Sequence, residues 1–186
     1  MKKITLFLVL LSTFIFAGGD IEPMEPIIDT PLIEESSALI QTGIAVLGGA
    51  MKIKGYPNDW KGFYGVELSF PCLVSDSVIS QIQITNYDNN DLKVSQINAN
   101  PHYVFNLSQS SFIGVGPSIG VARLEKGNET DTVFTYGVGV SVRTNITDSF
   151  FIGAEARYEL SAETDLSGFK DDLTNAKVFA KLGYSF

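Results

Sequence analysis

The sequence predicts an all-β chain, an eight-stranded antiparallel up-and-down transmembrane β-barrel, on three observations. Apolar residues recur with period two, the alternate positions are small or polar, and aromatics gather at alternate ends of the segments. Period two places alternate side chains on opposite faces of a strand. The C-terminal stretch is the clearest case. Val178, Ala180, Leu182, Tyr184 and Phe186 share one face, and Lys177, Phe179, Lys181, Gly183 and Ser185 the other.

Three earlier segments repeat the pattern: Tyr64, Val66, Leu68 and Phe70; Phe134, Tyr136, Val138, Val140 and Val142; then Phe150, Ile152, Ala154, Ala156, Tyr158 and Leu160. Further strands are expected at Leu39–Ala50, Val78–Tyr87, Val94–Asn106 and Phe112–Leu124, which makes eight. The second face decides the architecture. Gly114, Gly116, Ser118 and Gly120, or Thr135, Gly137, Gly139 and Ser141, suit a narrow lumen better than an open solvent face. Closure in lipid satisfies every backbone group, and strands of about ten tilted residues match the bilayer.

The aromatics form two expected girdles. One collects Phe70, Tyr103, Phe105, Phe112, Phe150, Phe151, Tyr184 and Phe186. The other collects Trp60, Phe63, Tyr64, Tyr87, Phe134, Tyr136 and Tyr158. Pro101 and Pro117 fall inside strands, where a missing donor predicts bulges.

Upstream, Lys2 and Lys3 precede the apolar run Ile4–Phe16 and the small residues Ala17, Gly18 and Gly19, the order of a secretory signal over residues 1–19. Residues 20–37 hold Pro23, Pro26 and Pro31 among six acids and no base, which reads as an extended acidic periplasmic linker. The barrel is expected over 38–186.

Composition removes several function classes. A formal charge of −8, from 21 acids and 13 bases, gives no electrostatic footprint for nucleic acid. One cysteine, Cys72, cannot form an internal disulfide, and one histidine, His102, leaves too few ligands for a zinc or copper cluster. The run Asp88, Asn89, Asn90, Asp91 starts like a calcium loop, but Lys93 and Ala99 stand where its Gly and Glu belong, so a hairpin turn is expected. No catalytic, cofactor or metal site is expected.

The inward face is expected to hold Glu67, Arg143, Glu155, Arg157, Glu159, Lys177 and Lys181 as an ion-pair network. If Leu160 faces Ala176, then Glu159 lies opposite Lys177 and Glu155 opposite Lys181. The outer loops are expected at Met51–Gly62, Asp88–Lys93, Glu125–Thr132 and Ser161–Asn175. Trp60 and Phe169 are their candidate aromatic contacts. Arg123 is the one charge turned toward lipid, placed to reach a lipopolysaccharide phosphate.

These residues resemble the small eight-stranded outer-membrane barrels of Gram-negative bacteria, of the OmpA-transmembrane, OmpX and opacity-protein kind, most specifically in the terminal KLGYSF with its closing aromatic. The resemblance implies an outer-membrane location and a terminal strand, with Tyr184 and Phe186, read by the barrel-assembly machinery. It also implies a structural or surface-interaction role, the ligand unknown. A small-solute channel is the alternative. A lipid A-modifying enzyme on this fold pairs His with Ser, and the sequence puts no Ser two residues from His102.

Overall fold

The computed structural model describes residues 40–54, 59–89, 91–162, 164, 166 and 173–186. The expected signal and linker, and Phe169, lie outside the described residues. The strands are β1 (Gly43–Ile53), β2 (Lys61–Cys72), β3 (Ser75–Asn89), β4 (Leu92–Asn106), β5 (Ser111–Lys126), β6 (Glu129–Asn145), β7 (Phe150–Ser161) and β8 (Asn175–Ser185). Each pairs antiparallel with its sequence neighbour, and β1 pairs with β8, so the sheet is a closed barrel without an edge.

Burial is inverted relative to a soluble barrel. Val46, Val66, Val138, Val140, Ile152 and Leu182 are exposed on the outside, whereas Gln83, Glu155, Glu159 and His102 are buried inside. An apolar outer wall of this extent is unfavourable in water and favourable in lipid.

Two rims can be distinguished. The terminal rim holds the start of β1 and the end of β8, and the loop rim is the opposite end. Both are packed with apolar side chains inside the barrel. At the terminal rim Ile79 and Phe112 are buried, with Ile40 and Val104 against them. At the loop rim Met51, Ile53, Leu92 and Leu124 are buried together with Leu166 and Leu173 from the β7–β8 connection.

Several expectations need correction. β1 begins four residues later than predicted, at Gly43. β3–β6 run further than predicted: β3 and β4 join in the expected hairpin, paired out to Asn89↔Leu92, and β5 and β6 join in a hairpin turning at 127–128 in place of the expected loop Glu125–Thr132. Gly127 makes the latter possible, since its φ of 60° is one that L side chains rarely adopt. Four supposed girdle aromatics, Phe63, Tyr87, Phe112 and Phe151, are buried inside, because they stand at the parity of lumen positions.

Pro101 and Pro117 cause no bulge. They fall opposite one another in a β4–β5 register that is the same on both sides, and the ladder lapses between Ala99↔Ile119 and Tyr103↔Val115. Two rings facing each other remove donors from both strands at once, so neither strand needs an extra residue. Gly116 permits the close approach there, as a Cβ on it would lie 1.9 Å from the Pro101 carbonyl oxygen. The register shift in the β2–β3 pairing falls at Pro71/Cys72, beside the turn.

Candidate functional site: the charged lumen

Alternation delivers the seven charged residues to the interior, since six sit between outward apolar or aromatic neighbours and Arg143 between Val142 and Thr144. Glu67, Arg143, Glu155, Arg157, Glu159, Lys177 and Lys181 are all at most 6% exposed. Lys181 Nζ donates to Glu67 at 2.5 Å and lies 2.6 Å from Glu155. Arg157 pairs with Glu155 and lies 3.5 Å from Glu159. Lys177 Nζ donates to Glu159 at 2.8 Å.

The β7–β8 register differs from the expected one by two residues. Tyr158, not Leu160, faces Ala176, so Arg157 stands opposite Lys177 and Glu155 opposite Phe179. This register sets Phe151 opposite Gly183, where a Cβ would collide with the ring at 2.1 Å. A two-residue shift conserves the inward parity, and long side chains still meet on the diagonal.

Arg143 stands apart from the acids. Its guanidinium lies 3.6 Å from the centroid of the Phe151 ring, and donates to Ser185 Oγ at 2.7 Å and Asn145 Oδ1 at 3.1 Å. No carboxylate pairs with it among the described residues.

Sequence reasoning missed the neutral partners. Gln83 Nε2 donates to Glu67 at 2.7 Å and to Glu155 at 3.3 Å. Gln96 at 3.1 Å, Asn98 at 2.8 Å and Ser118 at 2.9 Å all donate to Glu159. Each carboxylate thus lies between cations and neutral donors, which is how buried charge is tolerated. The signal was present in the polar positions of QIQIT and SQINAN, which alternate with Ile82, Ile84, Ile97 and Ala99.

His102 also gains a partner unseen in its own strand. Ser141 of β6 brings its Oγ to 2.9 Å from Nδ1. Both groups are buried inside the barrel. Among the described residues no three His, Cys, Asp or Glu side chains cluster as metal ligands.

Outside, Arg123 points away from the barrel and pairs with Glu125 at 3.0 Å, which shares its outward face because β5 continues to Lys126. Trp60 is exposed just before β2, and Phe186 is exposed at the terminal rim. Tyr184 stands beside Phe150 with ring centroids 5.2 Å apart.

No protein-family model matches the sequence, and a search of curated proteins finds no match. Solved structures do match. Neisserial surface protein A (NspA) aligns with a TM-score of 0.61 at 16% identity, over 78% of this chain and 97% of that one. Ail, the attachment invasion locus protein of Yersinia pestis, aligns at 0.52 and 18% identity, over 78% and 97%. Identities this low speak for the fold alone. Together with the inverted burial they define the class: a small eight-stranded barrel with the fold of outer-membrane proteins.

An eight-stranded interior is just wide enough for side chains to fill it. Here ion pairs occupy the middle and apolar side chains close both rims. Planar-bilayer recordings of the refolded chain should therefore show little stable conductance. A steady porin-like current would favour the channel reading.

Proposed function

We propose that the protein is an outer-membrane barrel, exported by residues 1–19 and preceded by a periplasmic linker over 20–37, whose role is structural or surface-interactive. The observation that carries this reading is the pairing of an apolar outer wall with a lumen filled by its own ion pairs. Such a barrel anchors and displays, and has little room to transport. On this reading its partners are membrane lipid, lipopolysaccharide and the barrel-assembly machinery, for which Tyr184 and Phe186 form the terminal signal.

Cell fractionation tests it. The chain is expected in the outer-membrane fraction, starting near Gly18 or Asp20 and migrating anomalously in detergent gels unless boiled. A variant lacking Phe186 should reach that fraction in lower amount. Recovery of the unmodified chain from the soluble periplasm overturns the reading.

Surface contact is assigned to the first and last outer connections, with Trp60 and Phe169 as anchors, because burying an aromatic gives large contact area at small entropic cost. A solved complex of Ail contains the heparin analogue sucrose octasulfate. The present chain, at −8, favours a cationic partner over a sulfated one. Arg123 is a weaker contact for a lipid phosphate than its position implies, since Glu125 already holds it. Replacing residues 162–172 with a tight turn, while keeping the buried Leu173, should abolish cell or ligand attachment and spare assembly. Attachment that survives this change, and survives Trp60→Ser with Phe169→Ser, counts against the loops.

A further inference from the structure

The two ends of the barrel present different outer surfaces. At the loop rim the outward residues of β3–β6 are polar along two successive cross-strand rows, Asn86, Ser95, Arg123 and Thr132, then Asp88, Lys93, Glu125 and Thr130. The apolar wall begins one row below them, with Ile84, Ile97, Val121 and Phe134. At the terminal rim no row of charged residues closes the wall, among the described residues. An outward polar pair there, Ser111 and Thr144, bonds to itself at 3.0 Å. The apolar pattern runs on into the turns: Leu107 continues the parity of Tyr103 and Phe105, and Ile146 that of Val142.

The three turns at this rim join β2 to β3, β4 to β5 and β6 to β7. Each carries large aliphatic side chains on its surface, and Leu73, Val74, Leu107 and Ile146 are 59–99% exposed. Turn geometry does not ask for them, since Gly, Asn, Asp and Ser are the residues that close turns, and water disfavours them.

Strand length agrees with a lipid surrounding. An apolar belt about 25 Å tall takes about ten residues of tilted strand. Counted from the first apolar outward positions Ile84, Ile97 and Phe134, that length ends at Val74, Leu107 and Thr144, the last one outward step short of Ile146. On β3 and β4 the belt is complete only when the turn is included.

A turn in such a layer must satisfy its own backbone. Leu107 and Ser108 N–H donate to the Ser111 carbonyl at 2.9 and 3.1 Å, and Ile146 and Thr147 N–H to that of Phe150 at 2.8 and 3.2 Å. Hydroxyls accept two more: Ser110 N–H donates to Ser108 Oγ at 3.2 Å and Phe150 N–H to Thr147 Oγ at 3.0 Å. Two exposed acids, Asp76 and Asp148, lie on the outside of these turns and the strand ends beside them. They set the depth at the boundary between headgroups and acyl chains.

We propose that the terminal-rim turns are a lipid-docking surface, with Leu73, Val74, Leu107 and Ile146 entering the acyl layer of the adjacent leaflet, while the polar rows of β3–β6 stand clear of the opposite one. The proposal rests on the outer-membrane reading and gives it a direction: the barrel is sunk to its terminal rim.

The test places a nitroxide at single cysteines, Leu107→Cys, Ile146→Cys, Val140→Cys and Thr132→Cys, each with Cys72→Ser, in the full chain refolded into phosphatidylcholine vesicles. Oxygen concentrates among acyl chains and a neutral nickel chelate in water, so the ratio of their collision rates reads depth. Labels at 107 and 146 should collide more with oxygen, as at 140, and the ratio should reverse at 132. Nickel-dominated collisions at 107 and 146 overturn the proposal, and oxygen at 140 then leaves the barrel reading standing. Nickel at 140 as well overturns both. Low collision with either reagent at 107 and 146 means that protein covers the rim, a second copy or another partner, and this too overturns the lipid assignment. Oxygen-dominated collisions at 132 refute the raised loop rim. If neither turn variant assembles, the native thiol of Cys72, half-buried beside the β2–β3 turn, carries the label in the unmodified chain and is read the same way.

Discussion

Val140→Arg is expected to destabilise the folded barrel by about 2–4 kcal/mol, the cost of a cationic side chain facing lipid near the bilayer midplane. Val140 stands outward on β6 with apolar neighbours on all four sides, Val138 and Val142 along the strand and Val115 and Ala156 across it. The charge has no inward route, because rotating a strand residue to the lumen face requires a one-residue slip of the whole pairing. Thr132→Arg, outward on the same strand at the loop rim beside Arg123, should cost roughly 0–1 kcal/mol. Urea unfolding in lipid vesicles measures both. Equal effects at the two positions would contradict the placement of the lipid belt.

Lys181→Glu should be more damaging still. Lys181 is the cation shared by Glu67 and Glu155, and the substitution gathers three carboxylates in one buried layer. Removing one partner of a buried ion pair costs about 3–5 kcal/mol, and like-charge repulsion adds to it. The folded, heat-modifiable band should be largely lost at neutral pH. Combining the change with Glu155→Lys restores one cation to the layer and should return part of the folded fraction. Lys93→Glu provides the contrast. Its partner Asp88 is 3.5 Å away with both side chains more than half exposed, so the expected loss is about 1 kcal/mol or less.

The strands were legible because lipid makes a demand at every second residue. Val138, Val140 and Val142 cannot be polar, and nothing relaxes this rule within the belt, so parity survives even where boundaries move. Register is a different quantity. The two-residue displacement between β7 and β8 leaves every side chain on its correct face, so the hydrophobic pattern cannot detect it. It is fixed instead by closure against β1 and by the fit of Phe151 over Gly183. For the same reason the charged residues of the lumen could be named while their pairings could not.

The rims show the opposite failure. Phe63, Tyr87, Phe112 and Phe151 lie at heights where aromatics serve either a headgroup girdle or a plug, and only parity separates the two uses. The amides were passed over because a neutral group announces no partner: Gln83 and Asn98 acquire roles only when Glu67, Glu155 and Glu159 are brought beside them from other strands. Ser141 reaches His102 the same way, from 39 residues away along the chain.

A closed sheet has no edge from which to fray, so its first opening must choose a seam. The joint where the chain ends meet is a strong one, with β1 and β8 paired without interruption from Gly43↔Ser185 to Ile53↔Asn175. The crease is elsewhere, in mid-wall, where Pro101 abuts Pro117 and the ladder between β4 and β5 goes slack. The pairing is interrupted there over three positions of each strand. In native-state hydrogen exchange, amides of β4 and β5 flanking the prolines should therefore take up deuterium before those of the uninterrupted closing seam.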